Sequence, residues 1–444
     1  MKSWSTPRYQ PYVLSSIDSI AQLGGLSEAR RLAMRALGHV LPFRTNSYVV
    51  EELIDWDDIP GDPIFQLTFP QPGMLEPADL AQITSLMRAG ASAQQIRPVA
   101  DAIRRKLNPH PAGQLEHNVP RLDGTPLPGL QHKYRETVLF FPGRGQTCHA
   151  YCTYCFRWAQ FVGMEGLKFA QRETETFHEY LRRHNEVSDV LFTGGDPLVM
   201  RAWHLRAYIE PLLRPAFEHV RQIRLGTKAL AFWPYKFVTD PDADALLRLF
   251  ERVVASGRHL ALMAHFTHPR ELDTPAVRNA IERIRGTGAV IRTQAPLVRH
   301  INDSAGTWAE LWQSQVRLGC IPYYMFVERD TGPKGYFEVP LATAHDIFRR
   351  AFRQVSGLAR TVRGPSMSAT PGKVVMLGTQ QVGDEKVFIL SFLRGRQREW
   401  VGRPFFAKFD PRATWLDQLR PAFGERRFFF EDAEPRRGHV VAWE

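Results

Sequence analysis

Six short apolar runs punctuate the middle of the chain: VLFF at 138, DVLFTGG at 189, QIRLGT at 222, LALMAHF at 260, VIRTQAP at 290 and IPYYMF at 321. Between them lie stretches with apolar residues at helical spacing, among them ETFHEYLRRHNE, DADALLRLFERVVASG and PAVRNAIERIRGTG. Runs this short and this uniformly apolar read as strands buried on both faces. Strand and helix alternating at a spacing of roughly thirty residues predict βα units on a parallel sheet. Six such units make a partial (βα)6, TIM-like barrel, an α/β fold whose functional residues gather at the C-terminal strand ends.

The flanks differ in rhythm. Residues 1–130 are expected to form a helical N-terminal region, 131–345 the core barrel, and 346–444 a mixed α+β C-terminal region. In the first, SIDSIAQLGGLSEARRLAMRALG and PADLAQITSLMRAGASAQQIRPVADAIRRKL show helical spacing, the former interrupted by Gly24 and Gly25. A Pro/Gly-rich segment from NPHPAGQ to DGTPLPGL marks the boundary. In the last, the helix AHDIFRRAFRQVSGLA leads into a loop, GPSMSATPGK, then a strand pair around KVVML and KVFILSFL and an aromatic tail.

Composition narrows the function classes. Across 444 residues no stretch approaches ~18 uninterrupted apolar residues, so no membrane span is expected. The first residues lack the apolar segment of a secretory signal. Net charge is +11, but the arginines are spread along the chain and no RNA-binding signature accompanies them. A solvated basic surface is the expectation, not a nucleic-acid footprint. Four cysteines are too few for a disulfide framework, which points to a reducing, cytoplasmic setting. Cys320, alone in LGCIPYYMF, reads as a buried small hydrophobe.

The other three cysteines stand together. Cys148, Cys152 and Cys155 form C-x3-C-x2-C in CHAYCTYC, with Tyr154 in the last gap. A four-iron cube takes four ligands, so three thiolates leave one iron open for chemistry. A zinc site and a plain electron-transfer cluster are the alternatives. Structural zinc prefers four protein ligands, and here His149 is adjacent to a ligand and no fourth cysteine is near. One βα unit later, LFTGGDPL places Gly194, Gly195 and Asp196 at a strand end, where glycines let backbone groups approach a ligand closely.

With its aromatic in the last gap, the cysteine run resembles the signature of the radical S-adenosylmethionine (SAM) superfamily. The resemblance implies a [4Fe-4S] cluster whose open iron chelates SAM, with Tyr154, Gly194, Gly195 and Asp196 on the cofactor-binding side. Within that superfamily, LPFR (41–44), GDPIFQLTFP (61–70), HKY (132–134), HFTHP (265–269), TQAPLVRHIND (293–303) and PYYMF (322–326) resemble the lysine 2,3-aminomutase family. The likeness covers about residues 40 to 390. It implies a pyridoxal-phosphate-dependent amino acid 2,3-aminomutase acting on a small amino-acid substrate. A reducing donor such as flavodoxin or ferredoxin is implied, and a homo-oligomer is left open.

Residue roles follow from the resemblance. Arg157 is implied to pair with the substrate carboxylate and Gln294 to contact SAM. Asp303 is implied to hold a distal substrate ammonium; its other reading is a cap on the helix that follows. Lys373, in PGK, is the implied pyridoxal lysine, with Lys334 in TGPKGYF as rival. The basic residues Lys133, Arg135 and Lys228 are candidates to neutralise a cofactor phosphate. Two features depart from the family: SMSATPGK lacks the carboxylate that lysine-specific members place before their Pro-Gly loop, and the C-terminal cysteines of a zinc-linked assembly are missing. Free lysine is therefore a doubtful substrate. The alternative is a radical SAM enzyme on the same scaffold without pyridoxal phosphate and with a different C–H activation.

Overall fold

The computed structural model describes residues 7–108, 118–163, 169–171 and 174–431. Two short strand pairs, β1 (Pro11–Val13) with β2 (Arg44–Asn46) and β3 (Arg121–Leu122) with β4 (Thr125–Pro126), lie outside the main sheet. The main sheet has eleven strands and begins with β5 (Leu130–Tyr134), antiparallel to β6 (Thr137–Phe140). Parallel to β6 and adjacent in chain order follow β7 (Asp189–Phe192), β8 (Gln222–Thr227), β9 (His259–His265), β10 (Val290–Leu297), β11 (Ile321–Val327) and β12 (Arg363–Ser368). Antiparallel β13 (Gly372–Val382), β14 (Glu385–Gly395) and β15 (Pro404–Lys408) complete it.

All six apolar runs are strands, and helices connect them as the period predicts. In the helix Ala243–Ala255, Leu246, Leu249, Phe250 and Val253 are buried toward the sheet. The helix Pro275–Gly286 starts where Thr274 accepts from the Val277 amide and a proline supplies the first turn. Strand β10 shows how the sheet sorts its faces. Ile291, Thr293, Ala295 and Leu297 are buried, and Thr293 donates to Gln315 on the outer helix Ala305–Arg317 at 2.7 Å. Arg292, Gln294 and Pro296 therefore face the barrel interior.

One expectation is corrected. GPSMS, read as loop, is the strand β12, which adds a seventh parallel strand to the six predicted. Gly and Pro are local breakers, but residues Gly364 to Met367 are buried against β11. A Cβ on Gly364 would lie 2.7 Å from the Met325 carbonyl oxygen, so only glycine fits there.

The sheet is not closed: β5 and β15 are its edges. Side chains bridge the seam instead. Arg394 of β14 donates to Thr137 of β6 at 2.7 Å, and Thr137 donates to Asp189 of β7 at 3.0 Å. Asp189 in turn receives a two-pronged Arg224, at 2.7 and 2.5 Å. Across the same seam Lys133 donates to the Ala369 carbonyl at 2.5 Å.

The N-terminal region holds helices Glu28–Val40, Pro63–Thr68, Pro77–Arg88 and Ala93–Leu107. The second predicted helical stretch is thus two helices, parted at Gly90 with φ +76°. The segment before α-helix Glu28–Val40 winds as two 3-10 turns, Leu14–Ser19 and Ala21–Gly25. Most of the Pro/Gly-rich boundary, residues 109–117, lies outside the described residues. One apolar core runs from Tyr12 to Val362, so the N-terminal helices and the barrel share it. A second core, which includes Met376, Phe388, Phe392 and Trp415, underlies the C-terminal hairpins.

Candidate active site

The cysteine loop leaves the C-terminal end of β6 and ends at the short helix Trp158–Phe161. The N-terminal region holds it through backbone groups. The Tyr151 amide donates to Arg44 O at 2.8 Å and the Thr153 amide to Leu67 O at 2.9 Å. Asn46 bridges the His149 and Phe232 carbonyls at 3.1 and 3.0 Å. No motif points to Asn46; only the fold brings it here. His149 is buried against Tyr9 and held neutral, its pKa lowered to about 3 by burial.

The three thiols are unpaired and half-buried at one end of the barrel. Burial pushes Cys152 up to about 12, although Lys228 acts against it, and Cys155 to about 11; Cys148 is raised well above its ordinary value, by burial and then by Asp196 and its fellow cysteines. Burial and mutual repulsion disfavour their charged forms, and iron bound by all three would supply the compensating charge. The donor set fits a cluster.

The glycine turn packs directly on this loop. A Cβ on Gly195 would lie 2.4 Å from Thr147 O and one on Gly194 would lie 2.3 Å from Gln146 Nε2. Gly194 also sits at φ +141°. The close approach expected toward a ligand is thus made, in the described residues, toward the cysteine loop itself. Asp196 is fully engaged: its amide donates to Thr147 O at 2.7 Å, and its carboxylate accepts from Leu198 N, Thr227 Oγ1 and Lys228 N at 2.8–2.9 Å. Burial pushes its pKa up to about 6 against these hydrogen bonds. Gly195→Ala is expected to force the loop outward at a cost of about 1–3 kcal/mol. A lower melting temperature and a reduced iron-to-protein ratio after reconstitution would show it; wild-type values for both would contradict it.

Tyr154 points inward, its hydroxyl 2.8 Å from Thr267 Oγ1 and 3.2 Å from His265 Nε2. The HFTHP segment is a buried knot around Glu271. Lys228 Nζ meets Glu271 Oε1 at 2.6 Å and Thr267 Oγ1 at 3.0 Å, while the His268 amide donates to Glu271 Oε2 at 3.1 Å. Lys228 is therefore already neutralised, which corrects its assignment to a phosphate. Asn302 ties the same knot to the end of β10 through Thr267 O and Pro296 O, both at 3.0 Å.

Arg157 stacks on Phe141 and Phe156, at 4.5 and 5.0 Å. Burial lowers its pKa to about 10. No carboxylate pairs with it among the described residues, which leaves its fork for a ligand. Gln294 lies on β10 opposite His265 of β9 and Tyr324 of β11, facing inward. Asp303 is exposed, and the helix behind it is capped by Ser304, not by Asp303.

The two candidate lysines are separated by their surroundings. Lys334 pairs with Glu338 at 3.7 Å on a short helix. Lys373 Nζ sits 4.0 Å over the Tyr324 ring and 4.9 Å from Phe326. Burial, then Arg394, Arg224 and Arg363, lower its pKa to about 7. Lys133 is lowered well below its ordinary value by burial and by Arg396, Arg329 and Lys373. Arg135, half-buried, lines a cavity of about 340 Å³ with Arg394, Arg396 and Arg398 at the seam. Glu136 also lines that cavity and pairs with Arg398, but the excess of cations around a readily deprotonated amine fits pyridoxal phosphate: cations for its phosphate and a nucleophile for its aldehyde.

Seven parallel strands carrying three clustered thiols at a strand end, with a glycine turn packed on them, are the frame of a radical SAM enzyme. No protein-family model matches the chain. It is 31% identical over 401 residues to a putative L-lysine 2,3-aminomutase of Aquifex aeolicus, covering 90% of this chain and 93% of that protein. It is 31% identical over 251 residues to the L-lysine 2,3-aminomutase of Escherichia coli, covering 55% and 68%. Among solved structures, a radical SAM methyltransferase from Sphaerobacter thermophilus is similar with a TM-score of 0.37 and 17% identity, over 54% of this chain and 68% of that one. The chain belongs to the lysine 2,3-aminomutase family of radical SAM enzymes. A [4Fe-4S] cluster and SAM come with that membership. No helix among the described residues is long and apolar enough to cross a membrane.

Proposed function

We propose that this protein is a pyridoxal-phosphate-dependent amino acid 2,3-aminomutase. When bound, the cluster with SAM supplies a 5′-deoxyadenosyl radical to accept a hydrogen atom, and pyridoxal phosphate supplies the carrier for the migrating amino group. The protein's own residues do the holding. Cys148, Cys152 and Cys155 ligate the iron, and the knot of Lys228, Glu271 and Thr267 fixes Tyr154 beneath them. Arg157 clamps the α-carboxylate, and Gln294, with Gly194, Gly195 and Asp196 behind the loop, shapes the SAM side. Lys373 anchors and releases the carrier, with Lys133, Arg363 and Arg394 around its phosphate. The observation that carries this reading is the buried Lys373 amine, which lies over the Tyr324 ring with its pKa lowered to about 7 by burial and by Arg394, Arg224 and Arg363.

One-electron reduction would come from a flavodoxin or ferredoxin; the net charge of +11 favours an acidic donor. The test uses reconstituted enzyme with SAM, dithionite and each common amino acid in deuterated form. Deuterium is expected in SAM or 5′-deoxyadenosine for one class of amino acid. No label above a Cys152→Ala control would remove the reading.

A further inference from the structure

We propose that Arg329 receives a second acidic group of the substrate, so that the amino acid handled is dicarboxylic; this rests on the aminomutase reading above. The starting point is the loop before Lys373. Where lysine-specific relatives are expected to carry an acid, this chain has Ser368, Ala369 and Thr370. Two cations occupy the backbone at that place. Arg329 Nη1 donates to Ser368 O at 3.2 Å and Lys133 Nζ to Ala369 O at 2.5 Å. The local charge has been inverted, not merely removed.

Arg329 follows the C-terminal end of β11, at the same mouth as the cysteine loop. Its guanidinium lies 5.6 Å from the Phe156 ring and 5.6 Å from Trp415. Arg157 lies 5.0 Å from that same Phe156 ring. Two guanidinium forks on one aromatic ring bracket a space that a short dicarboxylic acid can span, one carboxylate to each. Among the described residues, Arg329 Nε is buried without a hydrogen-bond partner and its one ion pair is a loose one with the adjacent Asp330, at 3.6 Å.

The acids nearby do not offer an alternative seat for an ammonium. Glu328 is buried with no cation within ion-pair distance among the described residues, and burial raises its pKa well above the ordinary carboxylate value although Arg329 acts against it. Asp303, the other acid implied for a distal ammonium, is exposed. Lys133, Arg363 and Arg394 provide for a phosphate, Lys373 for the carrier's aldehyde and Arg157 for the α-carboxylate. Arg329 is the cation left over. A lysine side chain placed against it would be repelled, whereas a carboxylate would be held by a fork.

Calorimetric titration of the reconstituted enzyme with SAM tests this, with L-glutamate, L-aspartate, L-glutamine and L-lysine as probes. The better of the two acids is expected to bind about 10- to 100-fold tighter than glutamine, and lysine more weakly than glutamine. Arg329→Gln should erase that preference and leave glutamine affinity within about twofold, which also reports that the variant is folded; Arg329→Lys should retain part of it. Lysine binding tightest, or an acid preference that survives Arg329→Gln, would overturn the assignment. The turnover assay separates the two readings. Label transfer from lysine alone overturns the acidic substrate and leaves the aminomutase, whereas Arg329-dependent acid binding without label transfer does the reverse.

Discussion

Cys152→Ala is expected to leave a folded protein that neither holds a full cluster nor cleaves SAM. Two thiolates cannot retain a cube that already leaves one iron without a protein ligand. Reconstituted iron should fall well below half of the wild-type content, and 5′-deoxyadenosine formation by at least about three orders of magnitude, because the chemistry has no uncatalysed route in water. Far-ultraviolet circular dichroism should be unchanged, since the loop is held by backbone bonds to Arg44 and Leu67 and not by the thiols. Cys320→Ala is the control. Cys320 is buried just before the N-terminal end of β11, at the opposite strand ends from the loop, and its loss should cost only packing. Iron retention in Cys152→Ala comparable to Cys320→Ala would contradict the ligand assignment.

Lys373→Ala should abolish covalent capture of pyridoxal phosphate. Borohydride treatment of the wild type should fix the cofactor to the peptide containing Lys373, and treatment of the variant should fix none; turnover should fall about 10²- to 10⁴-fold. The pH dependence of capture has a definite sign. An amine attacks an aldehyde only when uncharged, so capture rises as pH passes through the pKa of the amine. The ordinary lysine value is 10.5, and burial beside Arg394, Arg224 and Arg363 brings Lys373 to about 7. The midpoint should therefore lie near pH 7, and Arg394→Gln should move it upward by removing a like charge. A midpoint near 10, or capture at Lys334 instead, would reject Lys373.

Much of this architecture is legible locally. Each apolar run, read with the helical stretch after it, already requires a strand and its return crossover. The cysteine spacing needs no tertiary contact to declare three ligands. The glycine pair could be placed beside them because it ends the next strand. Three features were not legible, for a common reason. GPSMS carries two breakers and becomes β12 because β11 offers it a buried edge that tolerates only glycine at 364. Lys228 looks as available as Lys133 in the sequence, yet Glu271, forty-three residues on, neutralises it. Asn46 belongs to no motif and still supports the cysteine loop from a hundred residues away.

By itself, then, the sequence determined the repeating βα units, the open-iron ligand set and the turn that follows it. These depend on period and spacing, which neighbouring residues carry among themselves. Tertiary structure alone decided which cations stay unpaired. Lys334 finds Glu338, Lys228 finds Glu271 and Arg224 finds Asp189, while among the described residues Arg157 and Lys373 find no carboxylate and Arg329 only a loose contact with Asp330. Charge balance is a property of distant strand ends brought together, and the chemistry of this site is written in that balance.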